Sequence, residues 1–342
     1  MHDMLVATWF VADQQGEGTW FPQIGGNSAD AGAKAIYWRC VVTFYATSLA
    51  HNPHNPHAFF TNTDLPSVDG VDIAALFARW EVEVIHVPIT YRIPLGRVDS
   101  WGNQFYIFDI IDFCANSGRW PSAVILDSDV VWTSPAQPLE RQVLADGVVS
   151  YVHDLDAYPA GTPINGVMRE DLARFMARHG GPVQDTIVYC GGEIFCATLP
   201  AMRRIAEQVP PLWQAILAGE PDAPKEEAHL LSLLYIIDGY PLGNGDAFIK
   251  RMWTTFKYHD VVPGDERLAI WHLPAEKRSG FPDLFARLVA HGLEKKAPAE
   301  LAVSREEMGR IFGIPRRSPS KWLRDVRSKV AEHAGRRLAR AR

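Results

Sequence analysis

The segment Ser122–Trp132 places two aspartates directly behind an apolar run, and it constrains the fold more than any other part of the chain. Ala123–Leu126 lead into Asp127 and Asp129, and further apolar residues follow. This pattern predicts a buried strand whose end carries two carboxylates. Side chains two positions apart on a strand point to the same side, so we expect the aspartates to converge. A divalent cation would relieve their repulsion, and a polar turn that ends the strand is the alternative.

Predicted strands and helices alternate along the chain. Strands are expected at 5–11, 58–61, 82–87, 122–132, 148–152, 187–196 and 269–273, and helices at 33–49, 73–80, 103–115, 199–208, 225–237, 282–291 and 304–312. The alternation predicts an α/β fold, a mostly parallel sheet flanked by helices, with a helical C-terminal extension. Ligands of such sheets bind at the carboxyl ends of the strands, where Asp127 and Asp129 fall.

Composition limits the class of protein. The 342 residues are 47% hydrophobic, which is enough for a sizeable core. No run approaches the ~18 apolar residues that cross a bilayer, and the N-terminus has no basic region of a signal peptide. The four cysteines form no C-x-x-C pair. We therefore expect reduced, buried cysteines in a cytoplasmic protein.

The C-terminal residues 316–342 are strongly basic. They contain ten Lys or Arg and two acids, although the whole chain carries a net charge of −6. A helix capped by Ser320 and starting at Lys321 would place apolar residues, among them Trp322, near one face. Such a helix can rest on an anionic membrane surface. A frayed solvated helix and a packing arm of an oligomer are the alternatives. The acidic remainder shows no base-stacking module, so no nucleic-acid partner is expected.

Five segments occur in an order typical of one enzyme class. They are Gly102-Asn103-Gln104-Phe105-Tyr106, Val124-Ile-Leu-Asp127-Ser-Asp129-Val-Val, Tyr189-Cys190-Gly191-Gly192-Glu193-Ile194-Phe195, Glu226-Glu227-Ala228-His229-Leu230, and Ile270-Trp271-His272-Leu273 with Lys277. Together they resemble the Rossmann-like GT-A nucleotide-sugar glycosyltransferases with a D-x-D motif. Within that class, the likeness is to glycogenin-like enzymes and to the retaining galactosyl- and N-acetylgalactosaminyl-transferases. It spans about residues 5–280.

The resemblance implies a metal site and a diphosphate site. Asp127, Asp129 and His272 would bind Mn²⁺ or Mg²⁺, and the added imidazole favours Mn²⁺. Lys277 would hold the diphosphate of a UDP-sugar donor, with Ser128 of the D-x-D motif beside it. A hydrogen-bonded strand histidine and a solvated surface lysine are the alternative interpretations of His272 and Lys277.

Other residues are expected around the donor. The small residues Gly191 and Gly192 would accommodate the sugar, because glycine lets the backbone approach a ligand closely. Gln104 stands where related enzymes often carry a Lys or Arg that contacts the donor. By position at the ends of the first two strands, the nucleotide base and ribose would meet Ala7, Thr8, Trp9 and Asn62. A core role for Trp9 is the alternative.

Three acids are candidates for catalysis. Glu226 and Glu227 follow Pro224 at the start of a predicted helix, where acids also complement the helix dipole. The resemblance favours Glu227 as the residue near the anomeric carbon. It would be a nucleophile or stabilise an oxocarbenium-like ion in a retaining enzyme, and act as a base in an inverting one. Glu193 would bond donor hydroxyls or face solvent.

These observations predict a metal-dependent, retaining glycosyltransferase (a hexosyltransferase) that moves sugar to a glycan, glycolipid or small-molecule acceptor. Residues 1–280 would form the catalytic domain, with a nucleotide-sugar-binding half (1–132) and an acceptor-binding half (133–280), followed by the extension 281–342. The enzyme would be cytoplasmic and peripheral on the inner face of the membrane. The alternatives are a haloacid-dehalogenase-like phosphatase that uses Asp127 and Asp129, and a non-catalytic, membrane-associated sugar-nucleotide scaffold.

Overall fold

The computed structural model describes residues 3–13, 16–21, 23–24, 26–94, 96, 102–152 and 161–340, with the backbone alone for 331–340. The chain divides into two compact units. The first contains residues 1–34, 54–127 and 136–248, and the second contains 35–53, 128–135 and 249–342. The division at residues 132 and 280 expected from the sequence stays a prediction.

Strands and helices alternate through most of the chain, and helices dominate its end. The strands are β1 (Met4–Phe10), β2 (Trp20–Phe21), β3 (Gly26–Asn27), β4 (His57–Thr61), β5 (Ser67–Val68), β6 (Val71–Asp72), β7 (Glu83–His86), β8 (Ser122–Leu126), β9 (Val130–Trp132), β10 (Val148–Val149), β11 (Ile194–Thr198), β12 (Ile249–Arg251) and β13 (Ile270–His272). The helices are α1 (Ala31–His51), α2 (Ile73–Arg79), α3 (Tyr106–Ser117), α4 (Gln137–Asp146), α5 (Arg169–Arg178), α6 (Leu199–Ala218), α7 (Glu227–Ile237), α8 (Gly280–Ala290), α9 (Arg305–Phe312) and α10 (Pro319–Arg340). Short 3-10 helices cover Asp265–Arg267, Pro274–Glu276 and Pro298–Leu301.

The first unit is built on a sheet with the strand order β10-β11-β8-β1-β4-β7. Strands β8, β1, β4 and β7 are mutually parallel, and β11 is antiparallel to both β8 and β10. Strand β8 is buried along its whole length, because it lies inside the sheet and carries apolar residues on both faces. Helices α3 and α6 pack against each other in the same unit. The prediction of an α/β fold with a mostly parallel sheet is confirmed.

The second unit has a smaller sheet with the order β12-β13-β9. Strand β13 is parallel to β12 and antiparallel to β9, which sets His272 opposite Val130. Helix α1 supports β9 through a side chain, since Trp132 N donates to Thr47 Oγ1 at 3.2 Å. The pairing of β13 with β9 therefore places His272 beside the turn that precedes β9.

The structure corrects three sequence expectations. The run Ser122–Trp132 is not one strand: β8 ends at Leu126, and β9 belongs to the other sheet. The strand expected at 187–196 begins only at Ile194, because a turn precedes it. The tail helix begins at Pro319 and is capped by Ser318, whose Oγ accepts from Lys321 N at 3.2 Å. The apolar and polar patterns of these segments do not show where a turn interrupts them.

Two further expectations concern the cysteines and the membrane. Cys40, Cys114, Cys190 and Cys196 are all buried free thiols, as expected. Among the helices of the described residues, none has both the length and the apolar content that a bilayer crossing requires.

Candidate active site

The turn between β8 and β9 carries the two aspartates. Backbone hydrogen bonds hold both ends of this turn: Asp127 N donates to Glu193 O at 3.1 Å, and Asp129 O accepts from Leu273 N at 2.9 Å. Strand β8 is tied to β1 just before the turn, because Thr8 Oγ1 donates to Leu126 O at 2.8 Å. The aspartates therefore lie in the turn that follows β8, whereas the sequence pattern had predicted them on the end of the strand itself.

The aspartates meet His272 in one cluster. Asp127, Asp129 and His272 each offer a ligand atom, and these atoms all lie within 4.8 Å of one another. Asp129 and His272 are buried, and Asp127 is half-buried. His272 Nε2 lies 3.3 Å from Asp129 Oδ2. Two carboxylates and one imidazole are donors that Mn²⁺ accepts, so the residues present fit the expected metal.

Lys277 lies on the same aspartate. It follows the 3-10 helix Pro274–Glu276, is 5% exposed, and donates from Nζ to Asp129 Oδ2. Its ammonium also lies 5.5 Å from the centroid of the Tyr37 ring. Burial by itself raises the pKa of the Asp129 carboxyl, but the charges of Lys277 and His272 outweigh burial and hold that pKa well below its usual range. Asp129 is therefore ionised at neutral pH.

Charge balance shows what this cluster can accept. With His272 neutral, as metal ligation requires, two carboxylates and one ammonium leave one net negative charge. A divalent cation would turn this into one net positive charge. That charge would attract an anionic ligand such as a diphosphate, in a site where burial strengthens electrostatic interactions.

The glycines lie under two carboxylates. A methyl group at Gly191 would overlap the Glu193 carboxylate, and one at Gly192 would overlap the Glu227 carboxylate. Glu193 is 1% exposed in the turn before β11. The absence of a side chain at these positions therefore makes room for two acids of the same unit.

Glu226 and Glu227 differ in their surroundings. Glu226 accepts from Tyr189 Oη at 2.7 Å and from Asn165 Nδ2, and His229 Nε2 lies 3.3 Å away. Burial lowers the pKa of His229, although the Glu226 carboxylate opposes this effect. Glu227 is the first residue of α7 and is 9% exposed. Glu226 is thus held by a side-chain network, while Glu227 sits over Gly192.

The residues expected around the nucleotide occupy different settings. Ala7 and Thr8 are fully buried in β1, and Trp9 is partly buried with its ring 5.9 Å from that of Tyr106. The Asn62 side chain bonds the backbone of residue 12, accepting at 2.8 Å and donating at 3.1 Å. The other two residues expected near the donor do not follow β1 or β4. Gln104 is half-buried just before α3, and Ser128 is buried in the D-x-D turn. Their contacts with a nucleotide stay predictions.

Asp13 is a buried acid with several hydrogen-bond donors, and the sequence analysis did not name it as a candidate site residue. It lies just beyond β1, is 2% exposed, and accepts from Ser28 Oγ, from Arg92 at 2.8 Å and from Asn103 Nδ2 at 3.0 Å. Lys34 Nζ also donates to its carbonyl oxygen at 3.1 Å. The signal in the sequence was an acid directly after an apolar strand, which is the same signal that singled out Asp127.

Comparisons with known proteins gave matches among solved structures alone. Neither a scan against protein-family models nor a search of curated proteins found a match. An active-site mutant of LgtC gives a TM-score of 0.47 at 13% identity, covering 79% of this chain and 87% of that one. Galactosyltransferase LgtC in complex with donor and acceptor sugar analogues gives 0.46 at 13% identity, with the same coverage. Mouse xyloside xylosyltransferase 1 in its apo form gives 0.44 at 10% identity, covering 79% of this chain and 97% of that one.

Proposed function

We propose that this protein is a metal-dependent glycosyltransferase that moves a hexosyl group from a UDP-sugar to an acceptor hydroxyl. The observation that carries the proposal is the cluster of Asp127, Asp129 and His272, with Lys277 on Asp129. The sequence resemblance to GT-A enzymes assigned these same residues to a metal and a diphosphate. A cluster of this composition at the end of a buried strand suits a reaction whose leaving group is a diphosphate.

The chemistry follows from the charge that the reaction creates. The bond between the anomeric carbon and a diphosphate oxygen breaks, and negative charge accumulates on the departing UDP. A Mn²⁺ or Mg²⁺ ion held by the three ligands would supply positive charge to these oxygens. Lys277 adds a fixed ammonium from a buried position, where an electrostatic contact is worth more than in water.

We propose Glu227 as the carboxylate that faces the anomeric carbon. Glu226 is engaged by Tyr189, Asn165 and His229, and this network suits a residue that positions its neighbours. Glu227 lies over Gly192, which leaves space for its carboxylate. A carboxylate there would stabilise the positive charge on the sugar or attack it, which gives retention of configuration. Glu193 would then bond donor hydroxyls.

The acceptor is proposed to be a glycan carried on a lipid. On helix α10, Trp322, Leu323 and Val330 are 46%, 51% and 63% exposed, although their side chains are apolar. Arg327 on the same helix is exposed as well. An apolar and basic helix surface of this kind favours contact with anionic lipid. We propose that the enzyme is cytoplasmic and binds the inner face of the membrane through this helix.

The test is incubation of the full chain with Mn²⁺ and a panel of nucleotide sugars. Release of UDP from one donor, and its loss on adding EDTA, is the expected result. The anomeric configuration of the product, read by NMR, then decides retention. No release of nucleoside diphosphate from any donor would contradict the proposal. Turnover of an aryl phosphate would favour the phosphatase, and binding of UDP-sugars without turnover would favour the scaffold.

A further inference from the structure

A second buried group of charges lies in the unit that carries His272 and Lys277. It is centred on Lys321, in the first turn of α10, and on Glu276, the residue before Lys277. Lys321 is 2% exposed and Glu276 is fully buried. Ionised side chains stay buried only where they are paired and hydrogen-bonded. A lysine of the basic tail is thus enclosed in the unit and is not available to a membrane.

The carboxylate of Glu276 holds three parts of the chain together. Lys321 Nζ donates to Oε1 at 2.7 Å, and Thr254 Oγ1 donates to the same oxygen at 2.6 Å. The other oxygen accepts from Ser279 Oγ at 2.6 Å and from Gly280 N at 2.9 Å. Glu276 therefore joins the start of α10, the chain after β12 and the first residue of α8.

The charges around Lys321 are balanced. Lys321 Nζ also donates to both oxygens of Asp325, at 3.1 Å and 3.2 Å, and Arg317 lies 3.8 Å from Asp325. Two cations thus face two carboxylates. Removing the Lys321 ammonium would leave Glu276 and Asp325 as two buried anions with one cation, which is strongly unfavourable.

The Glu276 carboxylate is connected to the candidate active site by a short piece of backbone. His272 ends β13, and Leu273 N donates to Asp129 O at 2.9 Å. The single 3-10 turn Pro274–Glu276 follows, and Lys277 comes directly after it. Such a short turn has few hydrogen bonds of its own, so its position depends on what holds its ends. Asp129 holds one end, and the Lys321–Glu276 pair holds the other.

We propose that Lys321 is a positioning residue for the donor site: its ion pair with Glu276 fixes the turn that presents Lys277 to the diphosphate. This inference rests on the proposed function, because Lys277 acts on the donor there. The two parts of the basic tail then have different roles. The first turn of α10 supports the active site, and the residues that follow remain available for a surface.

The first experiment measures hydrogen exchange over residues 273–280 in the full-length protein. Lys321→Met keeps the apolar stem and removes the ammonium, and Lys250→Met is the matched control. Lys250 lies on β12 of the same unit, and its ammonium pairs with Asp265 at 2.9 Å and not with Glu276. We expect faster exchange of these amides in Lys321→Met and unchanged exchange in Lys250→Met. Unchanged protection of 273–280 in Lys321→Met would overturn the inference.

The second experiment measures the affinity for UDP in the presence of Mn²⁺ by calorimetry. Loss of a group that supports a ligand-holding residue typically weakens binding 10- to 100-fold, so we expect the Kd of Lys321→Met to rise about tenfold. A purely structural role would lower the melting temperature and leave the Kd of the folded protein unchanged. That result would overturn the inference. Absence of UDP binding by the wild type would instead refute the proposed function, and hydrogen exchange would still decide the role of Lys321.

A double variant guards against simple misfolding. Glu276→Gln combined with Lys321→Met removes both charges of this pair and leaves Asp325 with Arg317, 3.8 Å away. Because the ion pair that these two residues share is what holds the turn, we expect the double variant to bind UDP no more weakly than the worse single variant. Additive losses from Glu276→Gln and Lys321→Met would show that the two residues act independently and would overturn the inference.

Discussion

The two aspartates of the D-x-D turn should respond differently to the same substitution. Asp129 accepts the Lys277 ammonium, and both residues are almost completely buried, at 2% and 5% exposure. Asp127 is half-buried. Removing one partner of a buried ion pair typically costs about 3–5 kcal/mol, because the other charge stays buried without compensation. We therefore expect Asp129→Asn to lower the free energy of unfolding by about that amount, and Asp127→Asn to lower it by less than about 1 kcal/mol.

Both substitutions should nevertheless abolish metal binding. Each removes one of the three ligands, and loss of even a supporting residue weakens metal binding about 10- to 100-fold. We expect a loss of at least about 100-fold in Mn²⁺ affinity for either variant, measured by the electron paramagnetic resonance signal of free Mn²⁺. Asp127→Asn then separates function from stability: it should be folded, metal-deficient and inactive in UDP release.

Urea unfolding without metal checks the stability difference. The double variant Asp129→Asn with Lys277→Met removes both charges and should recover most of the lost stability. If Asp129→Asn were as stable as Asp127→Asn, the buried Lys277 ammonium would not need the Asp129 carboxylate as its counter-charge, and the reasoning would be refuted. If Asp127→Asn bound Mn²⁺ like the wild type, Asp127 would not be a ligand.

Three further results are expected. Gly192→Ala should lower kcat about 100-fold, because the added methyl group displaces the Glu227 carboxylate by roughly 1 Å, and steady-state kinetics measure the change. Burial lowers the pKa of His57 from 6.5 to about 4, so the unfolded chain binds a proton in this window that the folded chain does not. Stability should therefore fall by about 2 kcal/mol between about pH 6.5 and pH 4.5, measured by urea unfolding. Deleting residues 327–342 removes six of the ten basic residues of the tail but keeps Lys321, so binding to phosphatidylglycerol vesicles should fall while UDP release continues.

Each of these results has its own control. Gly32→Ala is the control for the glycine, because no atom lies within 4 Å of the added methyl group. Equal kcat values for Gly192→Ala and Gly32→Ala would contradict the placement of Glu227. His57→Gln should show a flatter dependence of stability on pH, and an identical slope would assign the effect to other groups. Unchanged vesicle binding after the deletion would show that residues 327–342 do not contribute to membrane binding.

The sequence alone determined the α/β class and the position of the acidic turn. A strand that is buried on both faces needs a continuous apolar run, and Ala123–Leu126 provide one whatever surrounds them. Two aspartates directly behind such a run are rare enough to attract attention without a structure. These features are local, so neighbouring residues are sufficient to predict them.

The tertiary structure decided which distant residues share the site. His272 Nε2 lies 3.3 Å from Asp129 Oδ2 because β13 pairs with β9. The sequence of either short strand does not indicate which strand it pairs with. Asp13 likewise accepts hydrogen bonds from Arg92 and Asn103, which are far from it in the sequence. In the sequence, Lys321 was one of ten basic residues, since a count of charges does not distinguish a buried ammonium from a solvated one. Contacts between residues far apart in the chain depend on how the strands and helices pack, and packing is a property of the whole fold.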